Sequence, residues 1–370
     1  MEGTRNFLNR FPFKKNFNMI SHPVIDLSPQ EADRFITYLI DQSALKDFAR
    51  IERMGVQQKN IRARGFGQGR MLYPANQFNE SKYKKQWVDE KITLTTQELR
   101  GAIVIFDSDI EDISNIESEA QYKDSFMKLA AAKQANELEE AYWIGEAHNL
   151  NHFPADDIRG LWDGWRYQIV NGQVAGDQYF NTVAGGSHVL DACDGGQSGS
   201  VFALPGKIAE HAGVAPYDWE FKYFHMLKAM PSIYKANNGL QGMKFINSDL
   251  VTQDYIGALT SRVTAVGDAA LQGKITPAYG VVGILDAPLM ATNLGDPGAG
   301  LDGVIGAGNY TDVLLTPKDN LIIGLQRQLK MEVERKAADQ ANYIFFSMRV
   351  CVAIENVNAA VLVRCLDHAC

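Results

Sequence analysis

The sequence predicts an α+β fold in which one long helix carries strand-rich segments before and after it. Three stretches predict it. Tyr122, Phe126, Leu129, Ala132, Ala135, Leu138 and Tyr142 keep a three-to-four spacing, the stripe of a helix over about 115–147. Residues 54–100 read as a long two-stranded excursion. Residues 320–366 break into strand-like runs separated by short polar turns.

A chain of 370 residues holds two domains of ordinary size, or one with a large insertion, and an apolar fraction of 46% supplies a core. The net charge of −8 argues against the broad basic face with which dedicated nucleic-acid binders displace counterions from phosphates. A protein that only encloses nucleic acid needs no such face. Cysteines at 193, 351, 365 and 370 form no CxxC pair, so idle or buried thiols are expected, not a disulfide framework or zinc site. The polar, basic N-terminus lacks a signal-peptide core, and no run approaches the ~20 apolar residues of a membrane span. A soluble product made in the cytoplasm is expected.

Residues 1–27 read as an arm. Arg5, Arg10, Lys14 and Lys15 outnumber Glu2, and Phe7, Phe11, Phe13 and Phe17 show no lasting helical or strand period. Such a segment gains order by lying across something else. Ser28, Pro29 and Glu31 then make a capping box that opens a helix within 28–53. Between 54 and 91, the cations Lys59, Arg62, Arg64, Arg70, Lys82, Lys84, Lys85 and Lys91 face only Glu80, Asp89 and Glu90. A hairpin so charged, with glycines near its tip, is marginal in water and is expected to rest on a partner.

Ala102–Phe106 is a short apolar strand, and Ser114 with Glu117 caps the long helix, a spine of roughly 50 Å at ~1.5 Å per residue. Residues 150–215 are loop-rich, with 161–170 as an ordered element. A helix is expected over about 218–235, a strand at Met243–Asn247, and a helix at Asp249–Gly267 capped by Ser248 or Asp249. Glycine-rich loops fill 291–310, and strands follow at 320–328, 328–334, 342–354 and 360–366.

The motifs that could carry catalysis are weak. His148 and His152 are four apart, but Asn149 stands where a zinc protease needs glutamate. The segment around Ser198 has Ser200 where the nucleophile elbow needs glycine. Gly65, Gly67 and Gly69 are spaced GxGxG, and no Walker lysine follows. No catalytic residue, cofactor or metal site is expected. The run Asp107, Asp109, Glu111, Asp112, Glu117 and Glu119 contains no base. Such acids suit the start of a long helix, and they also offer a partner to the basic excursion.

The order of these parts, with the phrases LKAMPSIYKANNGLQGMKFINSDLVTQDYIGALTSR, GDAALQGKITPAYGVVGILDAPLM and LLTPKDNLIIGLQRQLKMEVERKAADQANYIFFSMRVCVAIENVNAAVLV, resembles the tailed-bacteriophage major capsid proteins of the Hong Kong 97 type. In layout the resemblance spans about 28–366, and its specific part is 218–366. It implies an arm at 1–27 and a peripheral domain at 28–53 and 101–174. It further implies an extended loop at 54–100, an axial domain at 175–322, and C-terminal strands at 323–370 returning to the peripheral domain.

The implied function is self-assembly through pentamers and hexamers into an icosahedral head. That head would enclose double-stranded DNA without sequence-specific binding. Portal, scaffolding and decoration proteins are the implied partners, with the virion as location and no membrane contact. Contacts between copies are expected at Phe7, Phe11, Phe13, Lys59, Arg62, Arg64, Arg70, Lys82, Lys84, Lys85, Asp107, Asp109, Glu111 and Asp112. Two rivals are an encapsulin-type compartment, which shares the fold, and an α/β hydrolase, which would need one of the weak motifs to be real.

Overall fold

The computed structural model describes residues 37–38, 48–66, 87–106, 119–147, 153, 157–171, 189–191, 219–260, 278–295, 304–326, 330–336 and 338–367. The arm, the Ser28 capping box, the tip of the excursion and the acidic run as far as Glu117 lie outside them.

The first strands are β1 (Arg50–Met54), β2 (Gln58–Phe66), β3 (Trp87–Thr95) and β4 (Gln97–Phe106). The spine helix α1 covers Glu119–Ile144 and α2 covers Trp165–Asn171. Then come β5 (Val189–Asp191), α3 (Trp219–Ala229), α4 (Ser232–Asn238), β6 (Met243–Asn247) and α5 (Asp249–Thr260). The chain continues with β7 (Ala278–Tyr279), β8 (Val282–Asp286), β9 (Tyr310–Pro317) and β10 (Leu321–Gln326). It ends with β11 (Lys330–Lys336), β12 (Ala341–Ile354) and β13 (Val361–Asp367).

Among the described residues these strands form three sheets. One is ordered β1-β10-β12-β11, with β4 also paired to β12. The second has six strands, β5-β13-β9-β6-β8-β7. The third is the hairpin β2-β3, antiparallel from Gln58↔Thr95 out to Phe66↔Trp87.

Alternation within strands explains why the six-stranded sheet is covered on both faces. Met243 and Phe245 of β6, Val313 and Leu315 of β9, and Val361 and Val363 of β13 enter one core beneath α3 and α5. Their neighbours Ile246, Leu314 and Leu362 enter the other core, which they share with α1 and α2. A register shift between Val363 and Leu366 then returns Leu366 to the first core. Strands apolar on both sides belong inside a doubly covered sheet.

Two expectations need adjustment. The helix expected over 218–235 is two, because Pro231 cannot donate a backbone hydrogen bond, and the chain breaks between Ala229 and Ser232. Leu129, placed in the buried stripe of the spine, is 73% exposed. It lies nine residues from buried Leu138, and at 3.6 residues per turn that is two and a half turns, the opposite side of the helix. The C-terminal strands divide between two sheets. β10, β11 and β12 lie in one sheet, while β13 enters the six-stranded sheet between β5 and β9.

The two crossings between sheets run side by side. Asn320, after β9, donates to Thr316 Oγ1 at 2.9 Å and to the Asn356 carbonyl at 3.1 Å, and its Oδ1 accepts from Asn356 N–H at 2.9 Å.

Candidate assembly surface

One face of the sheet around β12 is half covered and half open. Ile344, Met348, Val350, Val352 and Ile354 point into the main core. On the other side, Cys351 and Ala353 are buried with Met54, Leu94 and Ile322, and Ile61 and Ile92 pack against them. This small core seats the base of the β2-β3 hairpin. Gly324 allows the close fit, since a Cβ there would stand 2.5 Å from Cys351 Sγ and 3.0 Å from Met54 Sδ. Burial pushes the Cys351 thiol up to about 11. Thr96, fully buried, locks the root of the hairpin by donating its N–H and its hydroxyl to the Gln57 carbonyl, both at 3.0 Å.

Further along, the described residues leave the same face open. Register sets Tyr343 opposite Val104, Phe345 opposite Ala102, and Ala341 opposite Phe106. Val104 is 41% exposed, Phe106 49% and Phe345 38%. The Tyr343 and Phe345 rings stack at 6.5 Å with 16° between planes. Lys336 Nζ lies 4.4 Å from the Tyr343 ring centre, and the Tyr343 hydroxyl donates to Asp339 Oδ2 at 3.0 Å. At the other end, Glu98 accepts from Arg100 Nε at 2.8 Å and from Arg349 Nη2 at 3.0 Å. Those two bonds, Arg100's first, hold its carboxyl below the usual carboxylate range. The strip is therefore apolar in the middle and bounded by fixed charges. From the opposite face the Phe346 ring lies against Gly101, where a Cβ would meet ring carbon Cε2 at 2.2 Å.

Of the contact residues expected from sequence, Lys59 stands against Glu52 of its own chain, and Arg50 Nη2 is 3.5 Å from the same carboxylate. The Lys59 hydrogen bond holds the Glu52 carboxyl below its ordinary range. Arg62 and Arg64 lie in β2, in register with Lys91 and Asp89. Phe7, Phe11, Phe13, Arg70, Lys82, Lys84, Lys85, Asp107, Asp109, Glu111 and Asp112 lie outside the described residues, as do His148, His152 and Ser198. Among the described residues no three His, Cys, Asp or Glu side chains gather in a metal-holding group. No described helix is long and apolar enough to cross a membrane.

Sequence reasoning missed the strip. It took Ala102–Phe106 as a plain apolar strand, although the even positions Ala102, Val104 and Phe106 carried the signal of a shared face.

No protein-family model matches the chain. A Bacillus subtilis (strain 168) protein named as a prophage capsid protein, YqbE, is 25% identical over 313 residues, 84% of this chain and 82% of that one. A chain from the satellite phage P4 procapsid, solved with its size-determination (Sid) protein, superposes with a TM-score of 0.58. The match covers 94% of this chain and 95% of that one at 11% identity. The chain has the fold of phage capsid proteins and is similar in sequence to a prophage capsid protein. A chain from the capsid of the native GTA particle has the same fold, with a TM-score of 0.50 over 87% of this chain and 90% of that one, at 14% identity. Like these capsid chains, this one mixes helices and sheets among its described residues.

Proposed function

We propose that the chain is the major capsid protein of a tailed bacteriophage. Copies join through pentamers and hexamers into an icosahedral head around double-stranded DNA, and the chain is a building block, not an enzyme. The observation that carries this reading is the match to a procapsid chain over almost the full length of both proteins, with a curated capsid relative alongside it. In this reading residues 175–322 are the axial domain, and residues 28–53 and 101–174 the peripheral domain. Scaffolding, portal and decoration proteins are further partners, and the place of action is the virion.

The extended hairpin is the working part. Its base is fixed to its own sheet by Met54, Leu94 and Cys351, so its basic outer part is presented to a neighbour. There it pairs with the acidic run at 107–119. Each exposed ion pair is worth only ~0–1 kcal/mol. A subunit that touches several neighbours at once nevertheless gains from high effective concentration.

Purified protein viewed by negative-stain microscopy should form uniform polyhedral particles. Dispersed small globules would overturn the reading. Lys82→Glu, Lys84→Glu and Lys85→Glu together should lower particle yield while leaving the subunit folded; normal particles from that triple variant would remove the hairpin's role.

A further inference from the structure

We infer that Asn320 and Asn356 form a clasp that fixes the angle between the two large sheets, so that subunits enter the shell with one shape. The clasp is a property of the single chain, and only its consequence for the shell rests on the function proposed above. The chain passes between the sheets at 318–320 and again at 355–360. Asn320 is 5% exposed, and its side chain joins the two passages. One amide hydrogen goes to Thr316 Oγ1 on β9 and the other to the Asn356 carbonyl, while Oδ1 takes the Asn356 N–H. Glu355 N–H adds a bond to the Asn320 carbonyl at 2.9 Å.

Both halves of the clasp are braced from outside. Asn356 Oδ1 accepts from Asn358 N–H at 3.0 Å, and its Nδ2 donates to the Tyr234 hydroxyl on α4 at 3.3 Å. Asp319 stands at φ 67°, a left-handed conformation that a non-glycine residue keeps only where its surroundings hold it. Its N–H donates to the Phe48 carbonyl at 3.0 Å, just ahead of β1. Lys318 N–H donates to the Gly242 carbonyl at 2.9 Å, just ahead of β6. The first passage is thus tied to a strand of each sheet. The shared core acts differently. Ile246, Leu314 and Leu362 meet Ile323 and Ile354 there, but apolar burial is non-directional and lets one sheet turn on the other. Arg166 and Trp165 bind the sheets to α2, not to each other. Hydrogen bonds weaken steeply off line, so the clasp selects the angle.

The test places spin labels, carried by unnatural amino acids, at Ala102 on β4 and Gln253 on α5, both exposed. Full-length, unassembled subunits should give one narrow distance by pulsed electron resonance. Asn320→Ala should replace it with a broad spread, and so should Asn320→Asp, which keeps an acceptor but loses both donors. Leu94→Ala loosens the hairpin seat and spares the clasp, so its distance should stay narrow. Should the Asn320 variants not fold, Thr316→Val, which removes one acceptor from the clasp, is measured in their place. A distance as narrow in the clasp variants as in the unaltered chain overturns the inference, as does an equal spread in Leu94→Ala. Particles of the clasp variants should show several diameters in place of one. A single diameter from subunits with spread distances overturns the link to the shell. Absence of particles from the unaltered protein overturns the shell reading, while the distances still decide the clasp.

Discussion

Arg166 and Asp312 illustrate how single residues tie the two sheets together. Arg166, on α2, donates through Nε to Asp312 on β9, and their side chains are only 12% and 5% exposed. A charge pair that dry contributes specificity of position more than net stability. Removing one partner strands the other in a medium that solvates charge poorly. Arg166→Met alone should therefore destabilise the unassembled subunit by about 3–5 kcal/mol, read as a lower urea midpoint. Adding Asp312→Leu to it should recover most of that loss. Trp165, beside it, is fully buried and donates Nε1 to the Ala353 carbonyl at 3.1 Å, with its ring edge-on to Trp143 at 5.0 Å. The sequence marks 161–170 as ordered, but it cannot show that this short helix bridges sheets, because Asp312 and Ala353 are far off in the chain.

At the scale of elements, the hairpin is only as firm as its seat. Leu94 is 1% exposed and sits among Met54, Ile322 and Cys351. Leu94→Ala should cost about 2–5 kcal/mol through the cavity left behind. The loss should be local, so amide exchange should quicken in 58–66 and 87–95 while α1 and β9 stay protected. Equal loss of protection everywhere would show that the hairpin is no separate unit.

Elements were also where the sequence was most legible. Met243–Asn247 is a strand with the predicted ends, because its apolar run is flanked by Gly242 on one side and by Ser248, where the next helix opens, on the other. Glu119–Ile144 falls within the predicted spine. Partnership was not legible. β13 reads as a strand from its own residues, but its place between β5 and β9 depends on residues 173 and 46–57 positions away. The strip on β4 was hidden for the same reason. One strand's alternation shows two faces and does not say which one the rest of the molecule will cover.

For the whole molecule, acid should loosen the subunit before heat does so at neutral pH. Glu52 is held below its ordinary range chiefly by the Lys59 hydrogen bond, and Asp157 by the Arg159 side chain. A carboxyl whose folded pKa lies below the unfolded one adds stability that is complete above the unfolded value, about 4. That stability drains away as pH falls through the folded value. Melting temperature of the unassembled subunit should thus drop as pH is lowered from 5 to about 3. Asp157→Asn should flatten part of that slope, and an unaltered slope would mean that the pair around Arg159 contributes nothing.

The position of β13 has a consequence in time. The six-stranded sheet gathers strands from 189–191, 243–247, 278–279, 282–286, 310–317 and 361–367, and β13 lies inside it, not at its edge. Pairings between such distant stretches are slow to close, because much of the chain must be brought to order before any of them is rewarded. Until β13 arrives, β9 keeps an unpaired, apolar side, the kind of edge on which chains aggregate. The chain is thus most exposed to mispairing late in its own folding. The speed of that last insertion then sets how many chains reach a form fit to meet a neighbour.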